Sequence, residues 1–265
     1  MQLHSLPSDL PEQVGFKNGT SGIQSSRTIM FEELRLLLNS TPELFNQEQY
    51  YRAILEDNIL LKNTTSTRRT TAAKLQALYT LNSNEVLFWA LRHLWKMEEE
   101  GRPILAFLCA HARDPLLRIT SKAILPVPVG EKVTKDTIEQ VVAEATSNRF
   151  YEKTLHSIGR NAASSWTQSG HLIGKSKKVR IQAKATPAST AYALLLAHLS
   201  GTRGALLFDN YWTNLLDSSQ FELENLAFEA SRRAWLDYHK LGNVTEIGFV
   251  HLLSQFNKEA NNGKD

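Results

Sequence analysis

The chain has 265 residues, 42% of them apolar and 22% charged, with a formal net charge of +3 and a single cysteine, Cys109. Such proportions describe a globular protein with one large or two modest domains, and no apolar run approaches the roughly 20 residues that cross a bilayer. One cysteine makes no internal disulfide, no C-x-x-C pair offers a zinc or redox site, and the N-terminus lacks the basic start and apolar centre of a secretory signal, so a cytoplasmic protein is expected.

Residues 1–25 are rich in Ser, Gly, Pro and Gln and read as a flexible arm. An N-terminal helical domain is expected over 26–125. Ile29, Met30, Leu34, Leu37 and Leu38 keep helical spacing, and Pro42 to Leu61 repeats it with Leu44, Phe45, Tyr51, Ile54 and Leu55. Asn63 to Thr67 is a loop of capping residues, and a helix follows from Arg68 to about Tyr79. Between Asn58 and Asn84 no acid stands against Lys62, Arg68, Arg69 and Lys74. That patch either meets a phosphate backbone or is a solvated face; Arg68 and Arg69 oppose the helix dipole at an N-terminus, and a bound phosphate would relieve them. Asn84 to Glu99 is strongly apolar, and Ile104 to Leu125 continues helically with a break at Pro115.

Pro126-Val127-Pro128-Val129-Gly130 forbids any long element and is the expected domain boundary. A C-terminal, winged-helix-like helical domain is expected over 131–256, with a flexible tail at 257–265. Its first helix runs from the cap Thr134 to Thr146. Its second, Tyr151 to Gln168, puts Leu155, Ile158, Ala162 and Trp166 on one stripe. Lys153, Ser157, Arg160, Asn161, Ser164 and Gln168 lie on the opposite stripe, among which no carboxylate would repel a phosphate. Ser169-Gly170 stops the helix, His171 to Ile173 is a short apolar strand, and Gly174-Lys175-Ser176-Lys177 is turn-like. Lys178 to Gln182 then alternates with the period of a strand. Helix, short strand, basic turn and strand is the order of parts in a winged helix-turn-helix. Beyond Pro187, Ala188 to Leu199 reads as a buried helix. Phe208 to Leu216 and Leu223 to Leu241 are expected to be helical, Gly242-Asn243 to stop the second of these helices, and Val244 to Leu253 to form a short strand or helix.

Charge carries the functional expectation. From Lys153 through Phe208 there is no Asp or Glu, while Lys153, Arg160, Lys175, Lys177, Lys178, Arg180, Lys184 and Arg203 give this span a formal charge of +8; the rest of the chain is therefore −5. Such asymmetry is the footprint of a polyanion-binding surface. Duplex DNA is the expected partner, with Lys175, Lys177, Lys178 and Arg180 on the backbone and Arg160, Asn161, Ser164 and Gln168 facing a groove. Lys153 and Lys184 belong to the same field, and Arg68 and Arg69 form the second candidate patch. Two other readings stay open: a scaffold whose basic face docks an acidic partner protein, and RNA binding by the first domain.

Other motifs point away from catalysis. Gly170 to Ser176 has three residues between its glycines where a phosphate-binding loop needs four, and a helix precedes it where a strand is required. His156, His171, Ser164 and Ser165 have no acid in their window to orient a histidine. Cys109 and His111 lack further metal ligands at suitable spacing, and Asp114, Asp209, Asp217 and Asp237 occur singly, without the clustered carboxylates of a magnesium site. No enzyme, cofactor or metal is expected. Trp89, Trp95, Tyr211 and Trp212 read as core, and Trp166 either joins the core or stacks on a base.

Two stretches carry a family resemblance. Glu32-Glu33-Leu34-Arg35, Glu56-Asp57-Asn58-Ile59-Leu60 and Thr67-Arg68-Arg69, followed by an apolar helix, form the first; the helix Thr154 to Gln168 ending in Ser169-Gly170-His171-Leu172 forms the second. In this order the chain resembles the BrxA family, accessory proteins of the bacterial BREX phage-exclusion systems, best over 26–125 and more loosely over 150–182. The acid-free second half and the helices after Pro187 depart from that family's compact pattern. The resemblance implies a mostly helical, non-catalytic protein that binds DNA within a defence system, with Thr67, Arg68, Arg69 and the helix of Arg160 as its surfaces.

Overall fold

The fold is known from a computed structural model, which describes residues 9–43, 45–242 and 244–262. Leu44, Asn243 and the ends of the expected arm and tail lie outside the described residues. The chain is mainly α, with a small antiparallel sheet beside a helix pair. In order come α1 (Phe31–Ser40), α2 (Gln47–Leu55), α3 (Thr65–Tyr79), α4 (Val86–Met97), α5 (Arg102–Arg113), α6 (Pro115–Ile124), β1 (Lys132–Val133), α7 (Lys135–Ala145), α8 (Glu152–Gln168), β2 (Leu172–Ile173) and β3 (Lys178–Arg180). Then follow α9 (Pro187–Leu199), α10 (Tyr211–Asn214), α11 (Gln220–Arg232), β4 (Asp237–Leu241), β5 (Val244–Gly248) and α12 (Val250–Asn262).

The centre is α9, buried from Pro187 to Ala197. Thr186 caps it in a reciprocal box with Ser189, and Pro187 sits at its first position, where a missing N–H costs nothing. It packs against α4 and α5 on one side and α10 and α11 on the other. Tyr192 donates its hydroxyl to the Leu87 carbonyl at 2.9 Å, tying α9 to α4. One apolar core therefore runs through the residues on both sides of Pro126–Gly130.

Those residues turn the chain within a unit that begins earlier, at α6. Leu116 of α6, Val142 of α7 and Ile158 of α8 share a small core of their own. Asp114 caps α6, accepting the N–H groups of Leu116 and Leu117 at 2.9 and 3.1 Å. The three strands pair antiparallel in the order β1-β3-β2, with Lys132 opposite Val179 and Leu172 opposite Arg180. Helices α6, α7 and α8, packed on one another, form with this sheet the winged-helix-like part, and the β2–β3 turn is its wing.

Several expectations need correction. The arm is packed from Leu10 onward: Leu10, Phe16 and Gln24 are buried. Hydropathy could not reveal this, because side chains far along the chain hold its backbone. Arg113, Arg118 and Arg149 donate to the carbonyls of Gly15, Lys17 and Thr20. Asp114 accepts the N–H groups of Ile23 at 2.7 Å and Gln24 at 3.1 Å. The helix expected over Pro42 to Leu61 is only α2, begun by the capping box of Asn46 with Gln49. Phe208 to Leu216 divides into a 3₁₀ turn (Gly204–Phe208) and the short α10, whose cap is Asn210. The helix expected over Leu223 to Leu241 ends at Arg232, where Ala234 turns to φ 58° and β4 follows, pairing with β5 from Asp237 opposite Gly248 to Leu241 opposite Val244.

Candidate nucleic-acid interface

Helix α8 is hemmed in on three sides. Ile158, Ala162 and Trp166 face the core, where Trp166 donates its indole N–H to Thr120 at 2.8 Å and packs edge-on to Phe107. Of the two roles open to Trp166, it takes the core one. Toward α7 the helices come close at Gly159, where a β-carbon would stand 2.9 Å from the Glu139 side chain. His156 meets Glu139 there at 2.6 Å.

The third side is covered by the N-terminal segment, a strap laid along α8. Asn161 donates to the Gln24 carbonyl at 2.8 Å, Ser165 to the Gln24 amide oxygen at 2.9 Å, and the Phe31 N–H donates to Gln168 at 3.2 Å. Asn161 and Gln168, expected to face a groove, are thus spent on the strap; Ser164 is half-buried, within 3.4 Å of the Gln168 amide nitrogen. The open ridge is left to Lys153, Ser157, Arg160 and Ser164, with the Arg160 guanidinium 3.4 Å from the Ser157 hydroxyl.

The wing is tight. Gly174 sits at φ 102°, and a β-carbon there would lie 2.1 Å from the Lys177 carbonyl oxygen, so only glycine fits. Lys178 donates to the Gly174 carbonyl at 2.6 Å and locks the turn, while Lys175 and Lys177 project into solvent. Lys132 on β1 is exposed, but it stands opposite Val179 and so on the other face of the sheet from Lys178. Glu131 is the neighbouring acid, and no ion pair joins it to them among the described residues.

Arg180 does not lie on this surface. Its side chain is 1% exposed and its guanidinium meets Asp217 at 2.7 Å. The same group donates to the carbonyls of His171 and Ile181. Asp217 comes from the loop after α10, outside the acid-free span, so the local charge pattern gave no sign of it. Lys184 is likewise answered, by Glu100 at 2.5 Å, and Arg203 turns onto the carbonyls of His198 and Thr202. Lys153, Arg160, Lys175, Lys177 and Lys178 are the cations of the span that α8 and the wing keep.

The second patch is also divided. Arg68 donates to the carbonyls of Leu55 at 3.0 Å and Lys62 at 3.3 Å, closing the end of α2, and Lys62 meets Glu33 at 3.0 Å. Arg69 remains exposed on α3. Since α3 starts at Thr65 with Thr64 as its cap, both arginines sit past the first three residues, and the dipole penalty expected of them is reduced.

His171 adds no charge. Burial, with Arg180 close by, draws its imidazole down to about 3. Its Nε2 donates to the Leu215 carbonyl at 2.9 Å and its Nδ1 meets the Ser169 hydroxyl at 2.8 Å. Cys109 is buried in α5, and burial pushes its thiol up to about 11. Among the described residues no three His, Cys, Asp or Glu side chains gather as metal ligands would, and no helix is long and apolar enough to cross a membrane.

Sequence reasoning passed over β1, because a two-residue strand leaves no periodicity to read. It also passed over Tyr151, which precedes α8 and is 87% exposed. Compared with protein-family models and with curated proteins, the chain matches none.

Proposed function

We propose that this chain is a non-catalytic protein that binds duplex DNA, gripping the phosphate backbone with its wing and presenting the ridge of α8 to a groove. The observation that carries this reading is the wing turn with Lys175, Lys177 and Lys178, beside a helix whose open ridge bears Lys153 and Arg160, while its one acid, the exposed Glu152, turns to His156 at 3.4 Å. Phosphate contacts of this kind supply most of non-specific DNA affinity. The resemblance to the BrxA family supports an accessory role, in the bacterial cytoplasm, within a phage-exclusion system of the BREX type and alongside its other proteins.

The test is a gel shift with random-sequence duplex DNA at low salt, comparing the wild type with Lys175→Glu/Lys177→Glu. The wild type is expected to be retained and the variant to lose most of its affinity. Equal retention of both would remove the wing from the account. No retention of either would favour a scaffold that docks an acidic protein, and stronger competition by structured RNA than by duplex DNA would favour the RNA reading.

A further inference from the structure

The strap leaves α8 short of groups that tell one base pair from another. Asn161 and Gln168 are the amides on its polar side, and both are engaged with the N-terminal segment. Ser157 turns its hydroxyl to the Lys153 carbonyl at 3.1 Å and stands beside Arg160. Lysines on the ridge and wing hold phosphates without reading sequence. Besides Arg160, which can pair with guanine edges, what remains is the N-terminal end of the helix, the end a helix-turn-helix directs at base edges.

That end is built around Tyr151. It occupies the N-cap position with extended backbone, φ −63° and ψ 151°, and no capping bond from its side chain. The backbone beneath it is fixed: the N–H groups of Thr154 and Leu155 donate to the Tyr151 carbonyl at 2.8 and 3.0 Å. Before it, Ser147 and Asn148 both take positive φ, 51° and 55°, and reverse the chain between α7 and α8. Arg149 then stacks over Phe150, with its guanidinium carbon 4.6 Å from the ring centroid, and ties the loop to Thr20 of the strap. A large aromatic ring is thus held 87% exposed on a braced loop, with Arg149 before it and, after it, Lys153 and Glu152, whose carboxylate turns to His156 at 3.4 Å. Arg149 and Lys153, both exposed, outweigh the single acid Glu152 and suit an anionic partner, and the ring suits an apolar group on it.

We propose that Tyr151 is a specificity-determining residue, its ring packing on thymine methyl groups in the major groove, so that the site it occupies on duplex DNA favours A·T pairs. The C5-methyl of thymine is the apolar group displayed there. This inference rests on the DNA-binding reading above.

The probes are an alternating A·T duplex and the same duplex with uracil in place of thymine, which removes only the methyls. For the wild type, affinity is expected to be about fourfold higher for the thymine duplex per methyl buried. Tyr151→Ala should bind both duplexes equally and keep the wild-type dependence on salt, since no charge is removed. Tyr151→Phe should keep the thymine preference. A wild type indifferent to the methyls, or a Tyr151→Ala variant that keeps the preference, overturns the inference. If the wild type binds both duplexes and Lys175→Glu/Lys177→Glu binds neither, the wing reading survives such a result. If the wild type binds no DNA at all, both readings fall together.

Discussion

Asp217 holds the guanidinium of the buried Arg180, and it accepts the Ala183 N–H at 3.0 Å with its other oxygen. Removing one member of such a pair strands a buried charge, which costs about 3–5 kcal/mol. Asp217→Ala is therefore expected to lower the midpoint of urea unfolding strongly, whereas Lys177→Ala should leave it unchanged. The contrast separates a lysine that serves binding from an arginine that serves the fold. Nothing in the composition of residues 153–208 distinguished the two, because the deciding carboxylate stands outside that span.

The buried histidines make a second prediction at this scale. Burial depresses the imidazoles of both His111 and His171, and His171 falls to about 3. Below the ordinary imidazole value near 6.5 the unfolded chain takes up protons that the native chain refuses. The stability these groups contribute is thus fully present above about pH 6.5 and is lost as pH falls toward the native value, at up to about 1.4 kcal/mol per pH unit for each. Urea unfolding at about pH 7 and about pH 5 is expected to show a lower midpoint in acid, and the difference should shrink in His171→Asn. A midpoint unchanged between the two would show that neither imidazole is held neutral.

Among the elements, those with strong apolar periodicity were legible: α4, α5, α8 and α9 fall where their spacing put them. The wing was legible too, from its glycine, its lysines and its alternation. Elements that depend on distant partners were not. The strap is fixed by Asp114 and three arginines from the loops and helices beneath it, and a polar, glycine-bearing segment looks mobile until those partners are in view. Continuing helical spacing masked β4, although Gly242-Asn243 between two short runs is a two-residue hairpin signal. At Gly22 the strap passes so close to Asp114 that a β-carbon would lie 1.8 Å from its carboxylate oxygen. Gly22→Ala is expected to cost about 1–3 kcal/mol by forcing the strap off α6. Hydrogen exchange should then speed up at the Ile23 and Gln24 amides, the ones Asp114 accepts.

Over the whole molecule, the charge imbalance was visible in sequence but its distribution was not. Folding withdraws Arg180 into an ion pair, sends Lys184 to Glu100 and turns Arg203 onto α9. The surface that results is narrower than the sequence implied and is centred on the wing, with α8 offering a ridge and an end where a full face was expected. A ligand that meets it chiefly through phosphates must displace counterions, and that makes affinity a steep function of salt.

The most direct test is a titration of the wild-type chain with random-sequence duplex DNA over a salt series. Log affinity is expected to fall linearly with log salt, by about 0.9 for each phosphate neutralised, and Lys177→Ala should reduce that slope by about 1. Affinity that does not change with salt, or a slope that Lys177→Ala leaves intact, would contradict the account.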